Sequence, residues 1–230
     1  MSPATVKRRC MRDEIREVLV VRILDGTYPA GTQLKELSLA REFNVSQAPI
    51  REALRELEGS GLVTSERFRG TRVRGTDFRE MRESYELRAL IEVSAVERAA
   101  PFGAELLQAL GEQFELMEKS LAAEDPNRYI ECALRFHRLL VGGCGNRTFL
   151  AIWDSLLWDV RGRIALRRFA ETGWSLKPLL TLHRTLLARM RAQDVPGAAR
   201  VVRRILDRVV VAFDEGASPP ANAPSRRRRG

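Results

Sequence analysis

Apolar residues recur at helical spacing from Asn44 to Val63, where Ile50, Ala53, Leu54 and Leu57 form one face and polar side chains the other. Ser46 stands where an N-cap belongs, Pro49 falls in the first turn and Gly59 or Gly61 supplies a stop, so the pattern predicts a short, well-punctuated helix. The run before it, roughly Lys35 to Phe43, places Leu34, Leu37, Leu39 and Phe43 on a buried side and turns through Asn44-Val45, which predicts a helix-turn-helix. After it, Leu62-Val63-Thr64-Ser65 and Thr71-Arg72-Val73-Arg74 are β-prone runs bracketing Arg67, Phe68, Arg69 and Gly70, the pattern of a hairpin wing. Upstream, Ile15, Val18, Leu19, Arg22 and Ile23 predict a scaffold helix from about Cys10 to Asp25, ended by Asp25-Gly26.

From Asp77 onward the periodicity is helical throughout, with Tyr85, Leu87, Leu90, Ile91 and Val96 marking one packed helix and Leu107, Leu110, Phe114, Met117 and Leu121 another. Breaks at Pro101 with Gly103, Asp125-Pro126, Gly142-Gly143 with Gly145, Gly173 and Pro196-Gly197 divide the region into about six helices, an all-α bundle. The expected organisation is a flexible segment over 1–9, a winged domain over 10–75, a helical domain over 76–215 and a disordered basic tail over 216–230. The fold class is therefore mainly α: an N-terminal winged helix-turn-helix followed by an all-helical bundle.

The polar face of the first-mentioned helix changes the picture from fold to chemistry. Gln47 opens it, with Arg51 and Arg55 one turn apart along the exposed side, and amides and guanidiniums are the groups that read base edges and phosphates. One amphipathic helix with two arginines is more often a solvated surface helix, but the ordered set of scaffold helix, helix-turn-helix and wing argues against that. Charge agrees: of the formal +9, the segments 1–76, 77–215 and 216–230 carry +4, +1 and +4. With 44% hydrophobic residues the chain can bury a core, and neither a membrane-length apolar run nor a signal peptide is seen, so a cytoplasmic location is expected. Three cysteines, Cys10, Cys132 and Cys144, fit free thiols better than a disulfide framework.

The run from Ile23 to Arg74, with Gly26, Tyr28-Pro29-Ala30-Gly31, Leu39-Ala40, Val45-Ser46, Pro49-Ile50-Arg51-Glu52-Ala53-Leu54, Gly61-Leu62-Val63 and Gly70, closely resembles the winged-helix domain of GntR-family transcriptional regulators. The common family form has Arg-Thr where this chain has Gln47-Ala48, so one recognition-helix arginine is absent. The order Arg88-Ala-Leu-Ile-Glu92, Phe136-His137, Gly145-Asn146 and Leu182-His183 resembles the FCD-type ligand-binding domain of the FadR subfamily. The resemblance implies a homodimer on a palindromic double-stranded operator, repression as the common mode, and control by a small carboxylate-type effector. It assigns DNA contacts to Arg41, Ser46, Gln47, Arg51, Arg55, Gly70 and Arg72.

Many FCD domains hold Zn, Ni or Mn through an Asp and a His one turn apart plus two later histidines. Here only His137 and His183 match; Ala133 and Ile205 stand at the Asp and third-His positions, and Glu131, Cys132 and Asp207 are the possible substitutes. Without a metal, a carboxylate effector would be held by guanidinium forks. Arg88 is the first candidate and Arg163 the second, with Asn146 as effector contact or helix cap and His137 and His183 in the same pocket. Two other classes stay open. No Walker loop, GxSxG, CxxC or HExxH is present, so a metal-dependent helical enzyme fused to a DNA-binding domain is disfavoured. A non-specific nucleic-acid binder would use the arginine tail.

Overall fold

The computed structural model describes residues 11–66, 69–75 and 77–214, the last without its side chain. The segments 1–9 and 216–230, Cys10, and Arg67 and Phe68 of the expected wing tip lie outside the described residues. The chain divides into two compact units, residues 1–77 with 155–164, and residues 78–154 with 165–230.

The first unit holds α1 (Met11–Leu24), β1 (Gln33–Leu34), α2 (Glu36–Glu42), α3 (Gln47–Gly59), β2 (Val63–Glu66) and β3 (Gly70–Val73). Ile50, Ala53, Leu54 and Leu57 of α3 are all buried, and they meet Ile15, Leu19, Val20 and Ile23 of α1 in one core. The α2–α3 turn and the exit from α3 into β2 close by the same device. At the end of α2, Asn44 adopts φ 53° while Val45 N–H donates to Ala40 O at 3.0 Å. At the end of α3, Gly61 adopts φ 76° while Leu62 N–H donates to Leu57 O at 3.0 Å. A left-handed residue just past each helix satisfies carbonyls the helix leaves open.

The wing is a three-stranded antiparallel sheet in the order β1-β3-β2, with Thr64 opposite Arg72 and Gln33 opposite Arg72 on its other side. The hairpin was legible; β1 was not, because two residues offer no alternation to detect. Two residues expected inside are outside. Leu37 is 51% exposed, its place in the α2 core taken by Ala40, and Val18 is 37% exposed, with Val20 buried instead.

The second unit contains α4 (Phe78–Arg98), α5 (Ala104–Ala122), α6 (Pro126–Gly143), α7 (Arg147–Ser155), most of α8 (Trp158–Thr172), α9 (Lys177–Arg191) and α10 (Val195–Asp214). No strand occurs in it among the described residues. Seven helices replace the expected six because the chain breaks again at Leu157, φ 49°, where neither Gly nor Pro marks the sequence. The larger departure is α4. Leu87 and Leu90, expected in the core, are 40% and 62% exposed, while Arg88 and Glu92 are buried at 3% and 0%. A helix that turns two charges inward and two leucines outward has little amphipathic signal to read.

Candidate functional site

In the first unit the candidate side chains converge on α3 and its approaches. Arg41, Ser46, Gln47, Arg51 and Arg55 are all exposed, and Arg41, Asn44, Ser46 and Gln47 line a shallow depression at the helix-turn-helix joint together with Leu37. Ser46 occupies the N-cap position, yet its side chain makes no capping bond. One of the two donors an N-cap oxygen can accept from is missing, because the third helical residue is Pro49, which has no N–H, and the second, Ala48 N–H, is not taken up by Ser46 either. The Ser46 hydroxyl and the amides of the first turn are therefore uncommitted within the helix, and α3 has no acid in that turn. A helix N-terminus of this kind attracts phosphate.

Arg51 is held by Glu36, the first residue of α2: Nε–H donates to Oε1 and Oε2 at 3.1 Å each and Nη2–H to Oε2 at 2.8 Å. In the wing, Gly70 has φ 76° and is exposed, and Gln33 Nε2–H donates to Arg69 O at 3.0 Å across it. Arg72 Nη1–H donates to Gly31 O at 3.1 Å, so its guanidinium lies along the turn before β1.

In the second unit α4, α6, α7 and α9 place a buried charged cluster around Glu92. Arg88, one turn earlier on α4, donates Nε–H to Glu92 Oε1 at 2.6 Å, and Trp153 of α7 donates Nε1–H to the same oxygen at 3.0 Å. His137 of α6 donates Nδ1–H to Glu92 Oε2 at 2.6 Å. The Arg88 guanidinium also lies over the rings of Tyr85 and Trp153, at 5.5 and 5.6 Å from their centroids. Burial alone would raise the Glu92 carboxyl, but Arg88 and His137 hold it down to about 2, so it is a carboxylate.

His183 of α9 completes the chain. Its Nδ1–H donates to Leu179 O at 2.7 Å, and its Nε2 faces His137 Nε2 at 3.1 Å. These three imidazole contacts need three ring protons, and two neutral imidazoles carry two. Burial holds His183 down to about 3, with His137 adding to the effect, and burial also lowers His137 against the pull of Glu92. At neutral pH the two Nε2 lone pairs thus face each other one proton short.

This donor set does not fit a resident metal. Two imidazoles are half of a tetrahedral set, Ala133 and Ile205 add no donor, and both Glu92 oxygens are taken by Arg88, Trp153 and His137. Of the possible substitutes, Glu131 is exposed and paired with Arg128, Asp207 is exposed and Cys132 is a buried free thiol, and no group of three or more metal-ligating residues forms among the described residues.

The remaining candidates separate. Asn146 caps α7, its Oδ1 accepting from Thr148 N–H at 3.0 Å and Phe149 N–H at 3.2 Å. Arg163 is not brought to the cluster; it lies in the first unit and pairs with Glu17 of α1. Sequence reasoning did not single out Glu92 or Trp153. Glu92 had a signal, since a Glu four residues after an Arg on one helix face is a ready ion pair. Trp153 had none.

Residues 11–73 match the family described as bacterial regulatory proteins, gntR family, and residues 83–208 match the FCD domain. The gluconate operon transcriptional repressor of Bacillus licheniformis is 34% identical over 180 residues, 76% of this chain and 74% of that protein. The transcriptional repressor GlaR of Escherichia coli is 28% identical over 192 residues, 80% of this chain and 87% of that one. Among solved structures, E. coli McbR/YncC superposes with a TM-score of 0.72 at 20% identity, covering 92% of this chain and all of the other (100%). At that identity the last likeness speaks for the fold alone.

Proposed function

Because this chain belongs to the gntR family of bacterial regulatory proteins and carries an FCD domain, a family of DNA-binding transcriptional regulators and not of enzymes, we propose that it is a repressor. In this reading it binds a palindromic operator as a homodimer and releases or tightens on a small carboxylate-type metabolite. Repression is what the names of its Bacillus and E. coli relatives state of those proteins. No described helix is long and apolar enough to cross a membrane, and the reading places the protein in the cytoplasm.

The observation that carries the DNA half is the exposed face of α3, where Gln47, Arg51 and Arg55 stand beside an uncapped, phosphate-attracting helix start. Base contacts fall to Gln47, Arg51 and Arg55, and backbone contacts to Ser46, Arg41 and the wing through Gly70 and Arg72. The segment over 10–75 reads DNA, and the segment over 76–215 binds effector and dimerises. For dimerisation the support is Leu87 and Leu90, two leucines that α4 leaves exposed and that a second copy would cover.

The effector half rests on the cluster around Glu92. A carboxylate entering beside Arg88 competes with Glu92 for the guanidinium, and its charge draws a proton onto the His137–His183 pair, which lacks one. Tyr129 shares the α6 face of Ala133 and His137, and its buried hydroxyl has no hydrogen-bond partner among the described residues, so it is a further donor for such a ligand. An effector acts only through different affinities for two arrangements of the protein.

Selection of the full chain on a random-sequence duplex library tests the proposal. An enriched inverted repeat is expected, and a set of bound duplexes with no common sequence overturns it.

A further inference from the structure

Glu36 and Arg51 come from different helices, and their contact has a direction. A guanidinium offers two forks, one along its side from Nε–H and Nη2–H, the other at its end from Nη1–H and Nη2–H. Glu36 occupies the side fork, at 3.1 Å to Nε and 2.8 Å to Nη2. The end fork is left, two parallel donors of the kind that reach O6 and N7 of guanine together. Glu36 is itself anchored at the first turn of α2, where the helix dipole favours a carboxylate.

Both partners remain solvent-accessible, 53% and 32% by side chain, so the pair has little weight as a stabiliser of the fold. Its consequence lies elsewhere. An exposed arginine with free rotamers is a cation that follows any phosphate, and it loses that freedom on making a specific contact. A braced arginine has lost it already, and its net charge is cancelled by an acceptor-only group that repels phosphate. Arg55, one turn along the same face, has no ion-pair partner among the described residues and is the contrasting case.

We infer that Glu36 is a specificity-determining positioning residue: it braces Arg51 so that the end fork reads a guanine in each half-site, and it suppresses binding to unrelated DNA. The inference rests on the DNA-reading function proposed above. It requires two effects of opposite sign on removing one carboxylate. Discrimination at one base position falls, and affinity for arbitrary duplex rises or holds.

The test compares wild type, Glu36→Ala, Glu36→Gln, Arg51→Lys and the Glu36→Ala/Arg51→Lys double variant, each selected on a random-sequence duplex library. Affinity for one unrelated duplex is measured beside it at two salt concentrations. The expected result is a guanine preference at one position per half-site in wild type that falls by about tenfold in Glu36→Ala and in Arg51→Lys, with no further fall in the double variant. Glu36→Ala should bind the unrelated duplex as tightly as wild type or more so, with a salt dependence at least as steep. Glu36→Gln keeps the shape without the charge and is expected to follow Glu36→Ala. Glu36 variants that retain the wild-type preference at every position, or lose affinity for all sequences alike, overturn the inference while leaving a sequence-specific wild type. A wild type that enriches no sequence overturns the DNA-reading function itself.

Discussion

His137 and His183 face each other through their Nε2 atoms at 3.1 Å while their Nδ1–H groups are spent on Glu92 and on Leu179 O. That arrangement fixes both ring orientations and leaves the contact between them one proton short.

Stability should fall on acidification. His183 has an ordinary value of 6.5 and is held at about 3 in the fold, so between these the unfolded chain takes up a proton that the folded chain refuses. Glu92, ordinarily 4.5 and held at about 2, adds a second loss of the same sign below pH 4.5. Thermal unfolding followed from pH 8 to pH 4 should show a falling Tm that begins near pH 6.5 and steepens below 4.5. In His183→Leu the upper part of that slope should flatten. A Tm independent of pH between 7 and 5 contradicts the assignment.

Removing one side of the Arg88–Glu92 pair should be costly, because it strands the other charge at 0–3% exposure. Arg88→Ala and Glu92→Ala are each expected to lose on the order of 3–5 kcal/mol in denaturant unfolding, and Arg88→Met/Glu92→Leu less than the two singles summed. An organic acid that raises the Tm of wild type should not do so for Arg88→Met, if Arg88 holds its carboxylate. Additive losses, or a response that survives Arg88→Met, would refute one half each.

The same pair explains what could and could not be read from the sequence. In α3 the periodic apolar set Ile50, Ala53, Leu54 and Leu57 is buried and the polar candidates Gln47, Arg51 and Arg55 are exposed, because the helix packs on one side only. In α4 the interior has been given to Arg88 and Glu92 and the exterior to Leu87 and Leu90, so periodicity pointed to the wrong leucines. Buried charged pairs break the pattern that apolar core residues obey. Leu157 was illegible for a different reason: its backbone is left-handed with no glycine to announce it.

Leu90→Glu should separate assembly from folding. At 62% exposure the side chain contributes little to the unit that carries it, so unfolding of the variant should match wild type within about 0.5 kcal/mol. Light scattering should show wild type as a dimer and the variant shifted toward monomer. A variant that remains a dimer at micromolar concentration would move the interface away from α4.

Ser46→Ala is expected to leave stability nearly unchanged, where a working N-cap would lose about 1 kcal/mol, since the hydroxyl makes no capping bond. Its affinity for the selected duplex should nevertheless drop. Unfolding and binding measured on one preparation distinguish the two roles, and a stability loss of full cap size would show that Ser46 serves the helix after all.

The most direct test of the whole reading is the affinity of wild type, Arg51→Ala and Arg55→Ala for the selected duplex and for a scrambled duplex of equal length, at one stated salt concentration. The expected result is a preference of about a thousandfold or more for the selected duplex in wild type, cut by about ten- to hundredfold in each variant. Equal binding of both duplexes by all three proteins, lost only when residues 217–230 are removed, would contradict it and make the chain a non-specific binder through its arginine tail.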